Sequence, residues 1–223
     1  MTYNIRSLRD DAAAVARVIR AAEPDVVCIQ EAPRFLFWRA KCAALARAAG
    51  MVIAGGGRDA GANLLLVAPD VDVVRTTSVL FTPDRGLHRR GAVLAVLAPG
   101  GQRVGVAGTH LDGVEEPRLR HIGELHEQAD RLLPSGVPVL VAGDFNDQPG
   151  SPSWRALESR GVDAFAVAGV GNGMSSTPLR PTRRIDAVFV GAGAAVRRSE
   201  AVDSPDVRVA SDHRPVIVDV ELA

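Results

Sequence analysis

Lysine is nearly missing from this chain: Lys41 is the only one, and apart from the histidines every other basic side chain is arginine. Basic and acidic residues balance at 26 each, so the formal net charge is zero. Charge neutralisation supplies most non-specific affinity for nucleic acid, and a neutral chain lacks that drive. Aromatic residues make up only 4% of the chain. Phe81, Phe145 and Trp154 are the few near the polar segments described below, which is poor support for a stacking platform. Cys28 and Cys42 stand at neither metal nor redox spacing. They read as buried thiols in a reducing, cytoplasmic compartment, not as a disulfide framework. No run is long and apolar enough to span a bilayer. The start, Met1-Thr2-Tyr3-Asn4-Ile5-Arg6, shows neither the basic nor the apolar region of a signal peptide. No loop reads as apolar enough for membrane docking, so no stable membrane anchor is expected.

What is present is material for a core. At 223 residues and 47% apolar content, a single domain over residues 1–223 is expected. No linker, internal repeat or protein-partner signal interrupts it, and a monomer is expected. Asp10 or Asp11 can cap a helix whose apolar positions Val15, Val18, Ile19 and Ala22 recur at helical spacing. Residues 36–49 also read as helical. A longer amphipathic helix runs over about 117–133 with Leu119, Ile122, Leu125, Ala129 and Leu132 as its stripe. A short helix at 152–160 follows, capped by Ser151 or Ser153. Strands are expected at 26–29, 51–54, 62–68, 71–80, 91–98, 102–109, 138–142, 185–190, 195–202 and 215–222. Paired strands with interspersed helices imply an α/β arrangement of two packed sheets with helices outside.

Several apolar runs end in side chains that handle metal or phosphate. Pro138-Val139-Leu140-Val141-Ala142-Gly143-Asp144-Phe145-Asn146 is the sharpest, with a carboxylate and a carboxamide two residues apart on one side of a strand end. Asp144 suits a general base and Asn146 a phosphate contact, although an Asx-turn would use the same residues. Glu31, closing Val26-Val27-Cys28-Ile29-Gln30-Glu31, is placed to hold a hard cation, or to cap or form a surface ion pair. His110 ends Val104-Gly105-Val106-Ala107-Gly108-Thr109-His110, as a structural hydrogen-bonder or a stabiliser of phosphoryl charge. Asp212 and His213 are adjacent and should face opposite ways. Asp186 begins a buried strand and needs a partner, and His213 is the natural one.

Asn4 within Thr2-Tyr3-Asn4-Ile5, then Gln30-Glu31, Gly108-Thr109-His110-Leu111, Gly143-Asp144-Phe145-Asn146, Arg184-Ile185-Asp186 and Ser211-Asp212-His213-Arg214-Pro215 occur in this order. Together they resemble the signature blocks of the endonuclease/exonuclease/phosphatase superfamily, the deoxyribonuclease-like fold, over essentially the whole chain. The resemblance implies a four-layer α/β sandwich, two face-to-face mostly antiparallel sheets flanked by helices, with a metal-dependent phosphoesterase site at one end. It implies that Glu31 is the principal Mg²⁺ or Mn²⁺ ligand, with Asn4 in its shell and Asp212 assisting. Asp144 would activate water, Asn146 would fix phosphate, His213 held by Asp186 would contact the scissile phosphate, and His110 would lie on the leaving-group side. Arg6 stands where some members carry an acidic residue, which favours one metal.

The substrate is expected to be a phosphate ester, most of all nucleic acid. A small-molecule or lipid-headgroup phosphate is the alternative, and a non-enzymatic binding module the third reading. Arginine makes bidentate contacts with phosphate, and Arg89 and Arg184 are the expected clamps.

Overall fold

The computed structural model describes residues 1–223. Its first sheet has 7 strands in the order β10 (Gly169–Val170), β12 (Ala194–Ala201), β13 (Val216–Leu222), β1 (Thr2–Asn4), β2 (Val26–Gln30), β4 (Asn63–Val67) and β3 (Val52–Gly57). The second has 6, in the order β5 (Asp72–Leu80), β6 (Gly91–Ala98), β7 (Val104–His110), β8 (Val139–Asp144), β11 (Asp186–Val190) and β9 (Val162–Asp163). The neighbours β1–β2, β7–β8 and β10–β12 run parallel, and the other pairs are antiparallel.

Strands β4, β6, β7 and β11 are buried throughout because both faces of the sheets are covered there. On β2, Val27 and Ile29 pack outward while Cys28 faces the other sheet. On β6, Leu94 and Val96 face outward, and Val93, Ala95 and Leu97 face inward. The outer layer of the first sheet is α1 (Ala12–Ala22), α2 (Trp38–Ala49) and α6 (Val207–Ala210). That of the second is α3 (Glu115–Leu132) and α4 (Pro152–Glu158). A short α5 (Ala164–Ala168) packs beside β11 and β12. The result is the expected four-layer sandwich, α on β on β on α.

Asp11 is the cap of α1, accepting from Ala13 N and Ala14 N at 2.9 Å each, and Ser151 caps α4. Helix α2 begins at Trp38 and not at 36, because Phe37 at φ 58° is left-handed and outside any helix. The stripe of α3 buries Arg118 and His121 beside Ile122 and Leu125, while Leu119 sits at its margin. Helices α5 and α6 are too short to show a period. Both cysteines are free and buried, and burial pushes their thiols up to about 11. No helix is long and apolar enough to cross a membrane.

Candidate active site

Register places the polar strand ends in a row. His110 on β7 is the partner of Asp144 on β8, and Asp144 is the partner of Asp186 on β11. The strands approach closely here, since a Cβ on Gly143 would lie 2.2 Å from the Thr109 carbonyl oxygen. On the other sheet Asn4 ends β1 beside Gln30 at the end of β2. Asn4 Nδ2 reaches across, donating to Asp144 Oδ2 at 3.0 Å and to Glu31 Oε1 at 3.3 Å. Its Oδ1 accepts from Arg6 N at 3.1 Å, so the amide cannot turn over. Glu31 at φ 51° and Asn146 at φ 52° are left-handed. Asparagine tolerates that readily, whereas for glutamate it costs of order 1 kcal/mol. The Glu31 conformation is held by Ser7 N donating to its carbonyl at 2.8 Å and by Ala32 N donating to Ala62 O at 2.9 Å.

The two histidines flank one oxygen, Asp144 Oδ2, with His110 Nε2 at 3.3 Å and His213 Nε2 at 3.8 Å. Their charge states differ. Burial pulls His110 down to about 3, with Arg90 and His213 adding to the effect and Asp144 opposing it. Burial works against the His213 imidazolium too, but Asp186 outweighs it through charge and a hydrogen bond, aided by Asp144 and Asp212, and carries it up to about 10. His213 Nδ1 donates to Asp186 Oδ2 at 2.8 Å. Asn146 Nδ2 donates to Leu111 O at 3.0 Å and faces His110 Nε2, also at 3.0 Å, which makes that nitrogen the acceptor. Asn146 N in turn donates to Asp144 Oδ1 at 3.0 Å.

The residues fit a cation. Asp144, Asp186 and His213 present ligand atoms within 4.8 Å of one another, and Asp186 Oδ1 is buried without a hydrogen-bond partner. His213 is taken up by its hydrogen bond to Asp186, which leaves carboxylate oxygens as the donors, the chemistry of a hard metal. Asp212 stands apart. It is half exposed and pairs with Arg6 Nε at 3.3 Å, outside the Asp144, Asp186 and His213 group but near enough to add to the charge that raises His213.

The two expected phosphate clamps stand outside the row of strand ends. Arg184 gives Nη1 and Nη2 to Asp163 at 2.9 and 2.6 Å, with its guanidinium 4.9 Å from the Trp154 ring centre and 5.1 Å from that of Phe165. It is packed in an ion pair, with both terminal nitrogens engaged by Asp163. Arg89 is exposed and outside the cleft; the neighbouring Arg90 enters it, beside Asp112 Oδ2 at 3.5 Å. Burial lowers the Arg90 pKa from its ordinary value, opposed by Asp112, Asp144 and Glu31. Alternation along the segment entering β6 was the available signal, since Arg89 and Arg90 cannot both face inward. The aromatics also differ from expectation. Phe81, Phe145 and Trp154 are buried in the core, while Phe35 lines the cleft.

Sequence reasoning missed the supports. Ser211 Oγ donates to Asn4 O at 2.7 Å, and Ser175 Oγ accepts from Ile185 N and Asp186 N at 3.3 and 3.2 Å. Arg118 donates to Ser153 Oγ, Asp112 O and Asp147 Oδ2, at 2.7, 2.9 and 2.7 Å. It locks the segments after β7 and β8 together.

The model of the Endonuclease/Exonuclease/phosphatase family matches residues 1–213. This chain belongs to that family. Endonuclease/exonuclease/phosphatase proteins are hydrolases of phosphate esters and are generally dependent on divalent metal, in keeping with the buried Asp/Asp/His group. The Escherichia coli (strain K12) protein YbhP is 29% identical over 140 residues, 61% of this chain and 54% of its own length. The chain thus spans about half the length of that curated relative. An endonuclease/exonuclease/phosphatase from Bacteroides vulgatus superposes with a TM-score of 0.83 at 22% identity, covering 100% of this chain and 97% of the other. A mannosyl-6-phosphatase of Bacteroides thetaiotaomicron gives 0.83 at 18% identity over 99% and 98%. At such identities the solved structures share the fold alone.

Proposed function

We propose that this protein is a Mg²⁺- or Mn²⁺-dependent phosphoesterase that hydrolyses phosphodiester bonds by attack of water. The observation that carries this reading is the placement of two histidines on one oxygen of a buried carboxylate, His110 in surroundings that lower its pKa and His213, hydrogen-bonded to Asp186, in surroundings that raise it. A pair of titratable groups pushed apart in this way is the mark of an acid–base site.

Glu31, which lines the cleft, would hold the metal, with Asn4 Nδ2 bridging it to Asp144 and Asp212 standing further out on Arg6. The ion supplies Lewis-acid polarisation of phosphate and a lowered pKa for water. Asp144, flanked by both histidines, orients water and takes its proton. His213 Nε2–H points charge at a phosphoryl oxygen, and Asp186 keeps that proton in place over the working pH range. His110, uncharged and fixed by Asn146, lies on the far side of Asp144, where the leaving oxygen would sit. Arg90 adds a fixed positive charge at the cleft. The set Asn4, Glu31, His110, Asp144, Asn146, Asp186 and His213 is complete, which favours an enzyme over a binding module.

Arg9, Arg34 and Arg90 line the cleft of about 170 Å³ with Glu31 and His110, and Arg58 and Arg89 lie beyond its rim. That cationic mouth suits a phosphodiester, whether in nucleic acid or in a lipid headgroup. The test is hydrolysis of bis-p-nitrophenyl phosphate, p-nitrophenyl phosphate and plasmid DNA with Mg²⁺, with Mn²⁺ and with EDTA. Metal-dependent release of p-nitrophenol from the diester is expected. Silence toward every ester, with metal binding shown by calorimetry, would overturn the reading.

A further inference from the structure

Three consecutive large apolar residues, Phe35, Leu36 and Phe37, are 72%, 74% and 71% exposed. They are not a frayed end. Ala32 and Pro33 before them are buried, and Trp38 after them packs on Gly57, where a Cβ would lie 2.5 Å from Trp38 Cζ3. Trp38 N donates to Phe35 O at 2.9 Å and Lys41 N to Phe37 O at 3.0 Å, so the first turn of α2 holds the triplet outward. Soluble surfaces rarely expose a contiguous apolar patch without a use for it.

The patch adjoins the candidate active site. It forms one wall of a groove of about 880 Å³ whose other side includes Leu80 and Leu87. The groove and the catalytic cleft share Arg34, Phe35, Gly61 and His88. Arginines flank the apolar tip: Arg34, Arg58 and Arg89 line the groove with a single carboxylate, Asp59, Arg39 lies over Trp38, and none of the four has a carboxylate partner, although the chain as a whole is neutral. An apolar tip inside a cationic collar is the complement of an anionic bilayer, with acyl chains below and phosphates around. Bases would need open aromatic faces. Here the central residue is Leu36, and the Arg34 guanidinium sits 5.3 Å from the Phe35 ring centre, which leaves Phe37 as a single open ring and not a stacking platform.

We infer that Phe35-Leu36-Phe37 and its arginine collar dock the enzyme on an anionic phospholipid surface and deliver a phospholipid headgroup phosphodiester to the adjoining cleft. This rests on the phosphoesterase reading for its chemistry. It departs from the expectation that no apolar loop favours membrane docking, since this run is exposed. The run escapes notice in sequence because residues 36–49 read as a helix with Leu36 on its apolar side.

The experiment is sedimentation of the full chain with vesicles of phosphatidylglycerol and phosphatidylcholine, and of phosphatidylcholine alone. Binding to the anionic vesicles, weakened by salt, is expected. Leu36→Ser/Phe37→Ser should lower it about tenfold or more, from the loss of two apolar side chains, at unchanged melting temperature. Arg58→Gln/Arg89→Gln should remove the preference for anionic vesicles. Wild-type binding no stronger than that of Leu36→Ser/Phe37→Ser, or absent, overturns the inference. So does a single-stranded oligonucleotide whose binding these variants abolish while vesicles are ignored. Headgroup release from bound vesicles is expected with Mg²⁺; bound enzyme that cleaves bis-p-nitrophenyl phosphate but releases no headgroup removes lipid as substrate. Turnover of that soluble ester without vesicle binding leaves the phosphoesterase reading standing and removes this one. Vesicle binding without hydrolysis of any ester leaves the docking surface standing and removes both the phosphoesterase reading and the delivery of a headgroup.

Discussion

Asn4 Nδ2 donates to Asp144 Oδ2 at 3.0 Å, and this contact joins the end of one sheet to the end of the other. The same amide reaches Glu31, so one side chain spaces two carboxylates whose charges would otherwise repel. Asn4→Ala removes the donor and leaves Asp144 short of a buried partner. A loss of about 1–3 kcal/mol in unfolding free energy is expected by denaturant titration. Activity should fall about 10–100-fold, the usual effect of removing a group that orients a ligand. Unchanged stability would show that the bridge is idle.

His110 and His213 impose opposite pH dependences on folding. His213, raised to about 10, stabilises the fold fully below its unfolded value near 6.5, and this is lost as pH climbs through 10. His110, lowered to about 3, is buried uncharged while the unfolded chain takes up a proton below 6.5. Its contribution is present above 6.5 and lost as pH falls toward 3. Melting temperature measured in EDTA should therefore peak near neutrality. His213→Gln should flatten the alkaline limb and His110→Gln the acid one. Limbs that survive both changes would assign the dependence to other groups.

Much of the fold is legible in the sequence because period and punctuation are local. Strands β5, β6 and β11 are read to within a residue or so, since alternation within apolar runs leaves little freedom. The row of His110, Asp144 and Asp186 is also legible, each closing or opening a strand, and so is the His213–Asp186 pair. What escapes is contact across the chain. Nothing near Arg184 in sequence announces Asp163, and nothing near Phe35 says that the run will stay exposed. Arg118 and His121 on the buried face of α3 escape for the same reason, as their partners come from other loops.

Arg184 is a stability residue. Asp163 is almost fully buried and also accepts from Trp154 Nε1 at 3.0 Å. Arg184→Gln would strand its charge among aromatic rings. A cost of about 3 kcal/mol is expected, with turnover per folded molecule little changed. A large fall in kcat at full stability would return Arg184 to the phosphate site.

Glu31→Gln keeps the shape of the side chain and removes its charge. The Mg²⁺ concentration giving half-maximal rate should rise by about tenfold or more. An unmoved titration would deny Glu31 a part in metal binding.

Asp144 and His213 carry the sharpest prediction. Asp144→Asn cannot take a proton from water, and His213→Ala removes the charge aimed at the phosphoryl group. Each should lower kcat by at least about 10²–10⁴-fold while the far-ultraviolet spectrum stays native. Asp186→Asn is subtler, since the imidazole remains but loses the partner that holds it charged at 2.8 Å. Its alkaline rate limb should move from about 10 toward ordinary histidine values. A positioning role for Asp186 without electrostatic effect would lower kcat and leave that limb in place. Retained activity in both Asp144→Asn and His213→Ala would refute the site.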